Sequence, residues 1–277
     1  MSKPLTHQNP WLYPWQVLHF LYAATCFVVM LIVFYPWVWL IGLLPEKKAT
    51  PIMFYFMNAI TPVWMVLSGI FPRRHNTQHV SPHRQYIITP NHQSYFDAAQ
   101  VYRTINRPFK SLGKTDLLKV PLYGLMYKLT VIPVDRSNAQ ARATSVRRMK
   151  QHIDRGYSLL LFPEGTFPDT AQADLLRFQP GAFSLAIQYQ VPVLPVLFPQ
   201  CAFRMHPKQF WRTTPGITRT LFLPPIETAG LAKEHTAALT HYTAQYMQAC
   251  LNEYRENGHQ QLSHFAEHWR HKHPLEL

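Results

Sequence analysis

The sequence predicts an α/β protein with a mixed sheet flanked by helices, preceded by an N-terminal membrane-embedded helical hairpin. Two observations predict this architecture. Two long apolar segments occupy the first quarter of the 277 residues. After residue 74, short apolar runs of strand type alternate with stretches of helical periodicity, the pattern of a sheet with helices on its faces. We divide the chain into a membrane-associated helical segment at 1–74, an α/β domain at 75–232, and a C-terminal helix and tail at 233–277.

Each of the two apolar segments is long enough to cross the hydrocarbon core of a bilayer, for which about 20 apolar residues suffice. Residues 17–44 contain only His19 as a titratable side chain apart from Tyr and Cys, and residues 51–71 carry no charge. Two buried core helices of a soluble protein are the alternative. We expect a membrane hairpin, spanning or re-entrant, with the following domain in the cytoplasm, because Arg73 and Arg74 come directly after it.

Positive charge is concentrated after the hairpin. The net charge is +13, and residues 73–155 hold 15 Lys or Arg against 4 Asp or Glu, a difference of +11. Such a field attracts polyanions: nucleic acid, anionic lipid head groups or phosphorylated substrates. The three cysteines are scattered without a CxxC motif, which fits a reducing compartment. The His-rich tail lacks HExxH and an evident buried carboxylate, so we predict no metal site.

Candidate strands and helices alternate along the α/β domain. We predict strands at residues 85–89, 109–113, 130–134, 158–162, 192–197 and 219–223. Helical periodicity predicts helices at residues 97–105, 116–128, 139–155, 181–189 and 233–256. In such sheets, sites form where strand ends meet helix starts, and His92, Arg136 and Glu164 each follow a predicted strand.

The first functional motif is NHQSYFD, residues 91–97. If a helix begins near Tyr95, the Asp97 carboxylate can fold back and accept the Nδ1–H of His92, leaving Nε2 free as a base near neutral pH. As alternatives, Ser94-x-x-Asp97 is also a capping box, and His92 is then an ordinary loop residue. The chain has no G-x-S-x-G motif, so we expect the substrate to bring the nucleophile, a hydroxyl or an amine.

Two further strand ends carry polar residues. FPEGT, residues 162–166, puts a carboxylate and a glycine at the tip of a very apolar strand, where backbone N–H groups can approach an anion. VIPVDR, residues 131–136, places an arginine beside a helix start, which favours a phosphate site. An ordinary strand-end turn and an Asp135–Arg136 surface pair are the respective alternatives.

These three motifs and VPVLPV at 191–196 follow one another in the order and at the spacing of four known motif blocks. Over roughly residues 85–225, the chain resembles the 1-acylglycerol-3-phosphate acyltransferase family, within the wider glycerolipid and lysophospholipid acyltransferases. The resemblance implies transfer of an acyl chain from acyl-CoA or acyl carrier protein to the free hydroxyl of a lysophosphatidate, giving phosphatidate. It implies membrane lipids as partners and no cofactor beyond these co-substrates.

The resemblance also implies roles by position. His92 matches the general base that deprotonates the acceptor hydroxyl, and Asp97 matches the residue that orients it. The implied contacts of the glycerol phosphate are Arg136, Glu164, Gly165 and Thr166, with Lys114 from the basic stretch before the second block. Pro192, in the fourth block, is implied to shape the site.

Two positions depart from the family pattern. Many members have Arg after E-G-T, where this chain has Phe167, and a common Lys before G-A-F is replaced in the stretch that contains Gln179. The loss of two cations favours, as an alternative, a lysophospholipid acceptor with a larger head group, although Arg136, Arg177 or Lys114 can compensate. A non-catalytic membrane-associated binder of lipid or carrier protein is a further alternative. We expect no nucleic-acid partner, because only the charge would favour one.

Overall fold

A single mixed sheet is the centre of the fold in the computed structural model, which describes residues 10–134, 139–171 and 173–276. Its strands in the described part of the chain are β1 (Ile70–His75), β2 (Ile87–Pro90), β3 (Phe109–Lys114), β4 (Val131–Val134), β5 (Ser158–Leu160), β6 (Val193–Leu197) and β7 (Gly216–Phe222). Their spatial order is β1-β7-β6-β2-β5-β3-β4. Neighbours pair in parallel except β6 and β7, which pair antiparallel. The predicted mixed α/β sheet is therefore confirmed.

Helices cover both faces of this sheet. They are α1 (Tyr13–Gly42), α2 (Glu46–Leu67), α3 (Asp97–Gln100), α4 (Tyr123–Thr130), α5 (Ala139–Asp154), α6 (Gly181–Tyr189), α7 (Cys201–Arg204), α8 (Thr236–Asn257) and α9 (Leu262–Lys272). On one face, α5, α6, α8 and α9 pack with Ile87, Leu159 and Val193 in one core. On the other, α2 and the residues around α3 pack with Ile88, Leu160 and Leu194. Successive residues of one strand thus feed two separate cores.

The first strand, β1, is an element that the sequence pattern did not predict. The apolar segment at 51–71 contains a change from helix to strand: α2 ends at Leu67, and β1 begins at Ile70. Gly69 between them has a φ of 69°, which glycine adopts without steric cost. β1 pairs with β7 over six residues in parallel register, and a partner so distant in sequence leaves no local signal.

Two of the predicted helices are shorter than their periodicity suggests. The stretch at 97–105 forms α3 and then a 3₁₀ turn at Val101–Arg103. The stretch at 116–128 forms a 3₁₀ turn at Thr115–Lys119, and α4 begins only at Tyr123. Pro121 lies between the turn and α4, and it cannot donate the backbone hydrogen bond that would continue the turn.

The N-terminal hairpin is attached to the α/β domain along its length. In the described residues, α1 and α2 are two helices long and apolar enough to cross a membrane. Phe54 and Met65 of α2 lie in the core beneath the sheet, and Met53 packs with Met126 of α4. α1 covers α2 from outside, and much of its own outer surface is exposed and apolar. One side of the hairpin is therefore a protein interface, and the other has no protein cover in the described residues.

Candidate active site

The carboxyl ends of β2, β5 and β6 meet at one edge of the sheet, and the predicted site residues follow them. β2 pairs in parallel with both β5 and β6. Asn91, directly after β2, accepts the backbone N–H of Phe198 through Oδ1 at 2.6 Å. This bond fixes the loop after β2 against the end of β6, so the next residue, His92, starts from a rigid support.

His92 and Asp97 form the hydrogen bond that the motif predicts. Nδ1 of His92 lies 2.9 Å from Oδ2 of Asp97. The same oxygen accepts the backbone N–H groups of Gln93 at 2.6 Å and Ser94 at 3.0 Å, and Asp97 is fully buried. Asp97 therefore shapes the loop, as the capping alternative holds, and also orients the imidazole. Because a carboxylate oxygen accepts, Nδ1 carries the hydrogen and the lone pair lies on Nε2.

Two aromatic rings enclose the imidazole. The Phe162 ring stacks on the His92 ring with centroids 3.9 Å apart and planes at 20°. The Phe167 ring lies 4.3 Å from the His92 ring at 58°, and it contacts Tyr95 edge-to-face at 4.8 Å. Phe167 is the residue that replaces the arginine of the family pattern, so an apolar wall stands beside the imidazole where that pattern has a cation.

Glu164 ties the His92 loop to the segment after β5. Its Oε1 accepts the backbone N–H of His92 at 2.7 Å, and its Oε2 accepts that of Leu176 at 2.8 Å. Burial raises the pKa of Glu164 to about 7, although these two N–H donors favour the charged form. Since both carboxylate oxygens bind backbone groups, Glu164 acts here as a positioning residue. Its implied contact with glycerol phosphate stays a prediction.

The remaining predicted binding residues differ in their placement. Gly165 has a φ of 71°, a conformation that favours glycine, and Thr166 beside it is exposed. Lys114, the last residue of β3, lines the same cavity as His92. Arg136 lies outside the described residues, so its implied phosphate contact stays a prediction. Gln179 lies beside Gly165, with its Cγ 4.0 Å from where a Cβ of residue 165 would be.

An apolar cavity of about 590 Å³ extends from His92 between the hairpin and the sheet. Its wall at the His92 end includes Phe162 and Phe167. Along α1, the lining runs from His19 to Val38, about 28 Å at 1.5 Å per residue. The sequence patterns did not locate this cavity, because α1, α2, α4 and the sheet each contribute part of its wall.

His19, the titratable residue noted within the first apolar segment, anchors α1 to the domain. Its Nε2 lies 2.9 Å from the backbone oxygen of Ser68, and its Nδ1 lies 2.7 Å from Oγ1 of Thr213. A carbonyl oxygen only accepts, so Nε2 donates and the threonine hydroxyl donates to Nδ1. Gln16, one turn earlier, accepts from Nε of Arg212 at 2.7 Å. These bonds fix the helix that forms one wall of the cavity.

The fold and the site define a class of protein: an α/β domain in which a buried carboxylate orients a histidine beside an apolar cavity. Comparison with known proteins makes the class specific. Residues 72–198 match the model of the family described as Acyltransferase. The chain belongs to the acyltransferase family.

Several curated relatives are named as acyltransferases. An uncharacterized acyltransferase of Schizosaccharomyces pombe is 31% identical over 190 residues, covering 66% of this chain and 66% of the relative. The 1-acyl-sn-glycerol-3-phosphate acyltransferase alpha of Mus musculus is 27% identical over 194 residues, covering 69% and 67%. The 1-acyl-sn-glycerol-3-phosphate acyltransferase of Salmonella typhimurium is 29% identical over 164 residues, covering 58% and 65%. The chain thus spans about two thirds of the length of each relative.

A solved structure shares the fold over most of its length. The 1-acyl-sn-glycerophosphate (LPA) acyltransferase PlsC of Thermotoga maritima superposes with a TM-score of 0.71 at 20% identity, covering 88% of this chain and 97% of that one. At this identity the likeness concerns the fold alone.

Proposed function

We propose that the protein transfers an acyl chain from acyl-CoA or acyl carrier protein to the free hydroxyl of 1-acylglycerol-3-phosphate, giving phosphatidate. His92 is the general base, and Asp97 orients it. The observation that carries the proposal is the 2.9 Å hydrogen bond between Nδ1 of His92 and Oδ2 of Asp97, at one end of an apolar cavity. The names of two relatives with 27% and 29% identity support this choice of acceptor.

The geometry suits a proton transfer at Nε2 of His92. Asp97 holds the other ring nitrogen, and among the described residues no protein group hydrogen-bonds Nε2. The acceptor hydroxyl gives its proton to Nε2 while its oxygen attacks the thioester carbonyl. A carbon–oxygen bond forms and the carbon–sulfur bond breaks. The imidazolium then returns the proton to the leaving thiolate, so the reaction needs no acyl-enzyme and no cofactor.

The cavity suits the acyl chain of a substrate. Its lining is predominantly apolar, which is the usual character of a site that buries hydrocarbon. An acyl chain that enters along α1 brings its polar end to His92, where the chemistry takes place. We assign the glycerol phosphate to the polar residues near the His92 end of the cavity. These are Lys114, which lines the cavity with His92, Gly165 and Thr166 after β5, and Arg136, which follows β4 in sequence.

The hairpin accounts for access to a lipid acceptor. Two apolar helices and relatives that act on lysolipids suggest association with the membrane. We place the α/β domain on the cytoplasmic side, because Arg73 and Arg74 come directly after the hairpin. In this orientation a soluble acyl donor and a bilayer acceptor reach the same edge of the sheet.

The direct test uses the purified full chain in neutral detergent with labelled acyl-CoA and lysophosphatidate. We expect the wild type to form phosphatidate and His92→Ala to lose about 10²–10⁴-fold in kcat, the usual contribution of a general base. A near wild-type rate for His92→Ala would exclude the base assignment. Absence of transfer to any lysolipid from either donor would favour the non-catalytic binder instead.

A second acceptor class is favoured by one specific observation, the aromatic wall beside the imidazole. Phe167 lies 4.3 Å from the His92 ring, and Gln179, just before α6, lies beside Gly165, so two cations of the family pattern are absent near Gly165. A lysophospholipid with a larger, zwitterionic head group needs fewer cations than a bare phosphomonoester. Such an acceptor would present the same hydroxyl to His92.

An acceptor panel separates the two classes. Lysophosphatidate, lysophosphatidylcholine and lysophosphatidylethanolamine are compared by kcat/KM in the wild type, Phe167→Arg and Phe167→Leu. If lysophosphatidate is the acceptor, the wild type uses it best. If a larger head group is preferred, Phe167→Arg shifts the preference toward lysophosphatidate, whereas the apolar control Phe167→Leu does not.

A further inference from the structure

A short segment of the α/β domain, residues 205–213, lies against the first turns of α1, and we call it the strap. Met205 and Thr213 form an isolated antiparallel bridge, and the backbone N–H of His206 donates to the backbone oxygen of Arg212 at 3.1 Å. These contacts close the strap into a loop between α7 and β7. None of the residues assigned to the proposed reaction belongs to it.

Side-chain contacts fix the strap to the N-terminal end of α1. The guanidinium of Arg212 lies over the Tyr13 ring, 5.5 Å from its centroid, and donates from Nε to Oε1 of Gln16 at 2.7 Å. The Phe210 ring meets the Phe20 ring edge-to-face at 5.7 Å. α1 is long and apolar enough to cross a membrane, and the end of such a helix lies at the membrane–water interface. Contact with these turns places the strap at the same depth.

Exposed aromatic side chains surround this contact. Trp11, just before α1, and Trp15, in its first turn, are 86% and 69% exposed, and Phe210 of the strap is 45% exposed. The Trp211 ring lies 5.2 Å from the Phe210 ring. A group of exposed apolar side chains marks a binding surface, and aromatic rings are enriched where a membrane meets water. The strap and the start of α1 together therefore have the composition of an interfacial belt.

A series of ring contacts runs from the strap to the imidazole of the proposed site. Phe210 lies 6.3 Å from the Tyr95 ring, and Tyr95 is 56% exposed. Tyr95 in turn contacts Phe167, which encloses His92. The two bridge residues at the base of the strap line the same cavity as His92. The strap therefore connects the exposed end of α1 to the cavity that contains His92.

We propose that the strap docks into the membrane interface beside α1, so that the bilayer contacts the α/β domain as well as the hairpin. Its occupant is the head-group layer, in which Phe210 and Trp211 take the position that aromatic rings hold at the ends of membrane helices. The strap contains no acidic residue that would be repelled by anionic lipids. Docking holds the His92 edge against the layer that contains the lysolipid hydroxyl. The proposal rests on the membrane association proposed for the hairpin, and not on the identity of the acceptor.

The test measures the depth of the strap in vesicles of phosphatidylcholine and phosphatidylglycerol whose brominated acyl chains quench a bimane label on contact. The full chain carries Phe210→Cys in a Cys26→Ser background, in which the other two cysteines are buried. The same label at Val146→Cys, exposed on α5, is the matched control, and at Ile32→Cys it reports on the hairpin. Thermal unfolding in neutral detergent serves as the folding check for each labelled protein.

We expect bromine near the carbonyl end of the acyl chains to quench the strap label most strongly. Bromine near the chain end should quench the label at residue 32, and neither position should quench the label at residue 146.

A kinetic measurement follows the same contact. Phe210→Ser should raise KM for a lysolipid presented in vesicles roughly 10-fold, as expected for the loss of one partly buried aromatic ring. It should leave kcat with a short-chain, water-soluble lysolipid unchanged, and Val146→Ser should change neither quantity.

Three results would overturn the proposal. Quenching at residue 32 without quenching at the strap would leave the hairpin in the bilayer and the strap in water. Absence of quenching at every position would refute the membrane association of the hairpin as well. A strap label that responds to added acyl carrier protein, and not to the vesicles, would assign the strap to a protein partner. Quenching of the strap in a chain without acyl transfer would support the docking and overturn only the proposed reaction.

Discussion

The two faces of the sheet are covered by helices of opposite character. On one face, α5 buries Met149 against the core and exposes Arg147 and Arg148, the pattern of a helix between a core and water. On the other face, α1 exposes Ile32 and Val33 at 58% and 59%. Contiguous exposed apolar surface of this kind marks contact with a membrane or a partner. One sheet therefore separates a surface suited to water from a surface suited to lipid.

The site lies where these two surfaces meet. His92 follows the end of β2, and the cavity extends from it toward the hairpin side of the sheet. Glu164, which follows β5, accepts the backbone N–H of His92 and also that of Leu176. Leu176 lies in the segment that leads into α6, one of the helices on the water-facing side. One edge of the sheet can therefore bind a hydrocarbon chain on its hairpin side and a polar head group on its water-facing side.

The largest expected effect concerns the support of the imidazole. Asp97→Asn keeps the shape but weakens the acceptor for Nδ1–H, so kcat should fall by about 10²–10³-fold, less than in His92→Ala. Asp154→Asn, exposed at the end of α5, is the matched control and should leave acyl transfer unchanged. Steady-state kinetics with lysophosphatidate provide the measurement. A loss confined to KM would mean that Asp97 only caps the loop.

The next effect tests the lipid-facing surface directly. Ile32→Asp places a charge on the exposed side of α1 and should weaken membrane partitioning by about 3–4 kcal/mol. Val146→Asp, at an exposed aliphatic position of α5, should leave the membrane-bound fraction unchanged. Fractionation of membranes from cells expressing each variant gives the comparison. Equal membrane fractions for the two variants would refute the division of the faces.

A smaller effect is expected inside the cavity wall. A Cβ on Gly113 of β3 would overlap the hydroxyl of Tyr127, and both residues line the cavity. Gly113→Ala should lower the free energy of unfolding by about 2 kcal/mol through overpacking. Tyr127→Phe, which removes a buried hydroxyl without a hydrogen-bond partner, should restore part of the loss in the double variant.

The control for this substitution lies on the water-facing side of the sheet. A Cβ on Gly181, the first residue of α6, meets no atom within 4 Å. Gly181→Ala should leave stability unchanged or raise it, since alanine favours the helix. Denaturant unfolding in detergent measures all four variants. If Gly113→Ala were as stable as Gly181→Ala, the Tyr127 side chain would move away from the new methyl group without a cost in stability, and the predicted overpacking would be wrong.

The smallest effect is a slope of stability against pH. Lys110 is 2% exposed and donates from Nζ to the backbone oxygen of Leu129 at 2.6 Å. Burial lowers its pKa to about 8, while Glu46 opposes the shift. The unfolded chain therefore binds more protons above about pH 8, and the free energy of unfolding should rise by roughly 1 kcal/mol between pH 8 and pH 9.

Lys110→Met should remove that rise, because the buried amine no longer titrates. Lys150→Met on α5 is the matched control and should keep the wild-type slope. Unfolding at a series of pH values between 7 and about 10, where an unfolded lysine titrates, checks both variants. A wild-type slope in Lys110→Met would assign the pH dependence to other groups.

Local patterns were enough to predict β2 to β7 and the His92–Asp97 hydrogen bond, because each depends on residues close together in sequence. They did not predict that Phe162 and Phe167 enclose His92, or that Glu164 binds its backbone. Those contacts exist only because β2 and β5 are neighbours in the sheet. Likewise, composition counted Lys110 as one more surface cation of the basic region, whereas the packing of α2 and α4 buries it.

Strand β1 has a consequence for how the protein is made. It pairs with β7, so its partner leaves the ribosome only after the five intervening strands. At 5–20 residues per second, the interval from His75 to Phe222 is roughly 7–30 s. During that time α2, three residues upstream of β1, can already rest in the bilayer and hold the waiting strand away from other nascent chains. The hairpin would then keep the unpaired strand β1 from aggregating until β7 is synthesised and pairs with it.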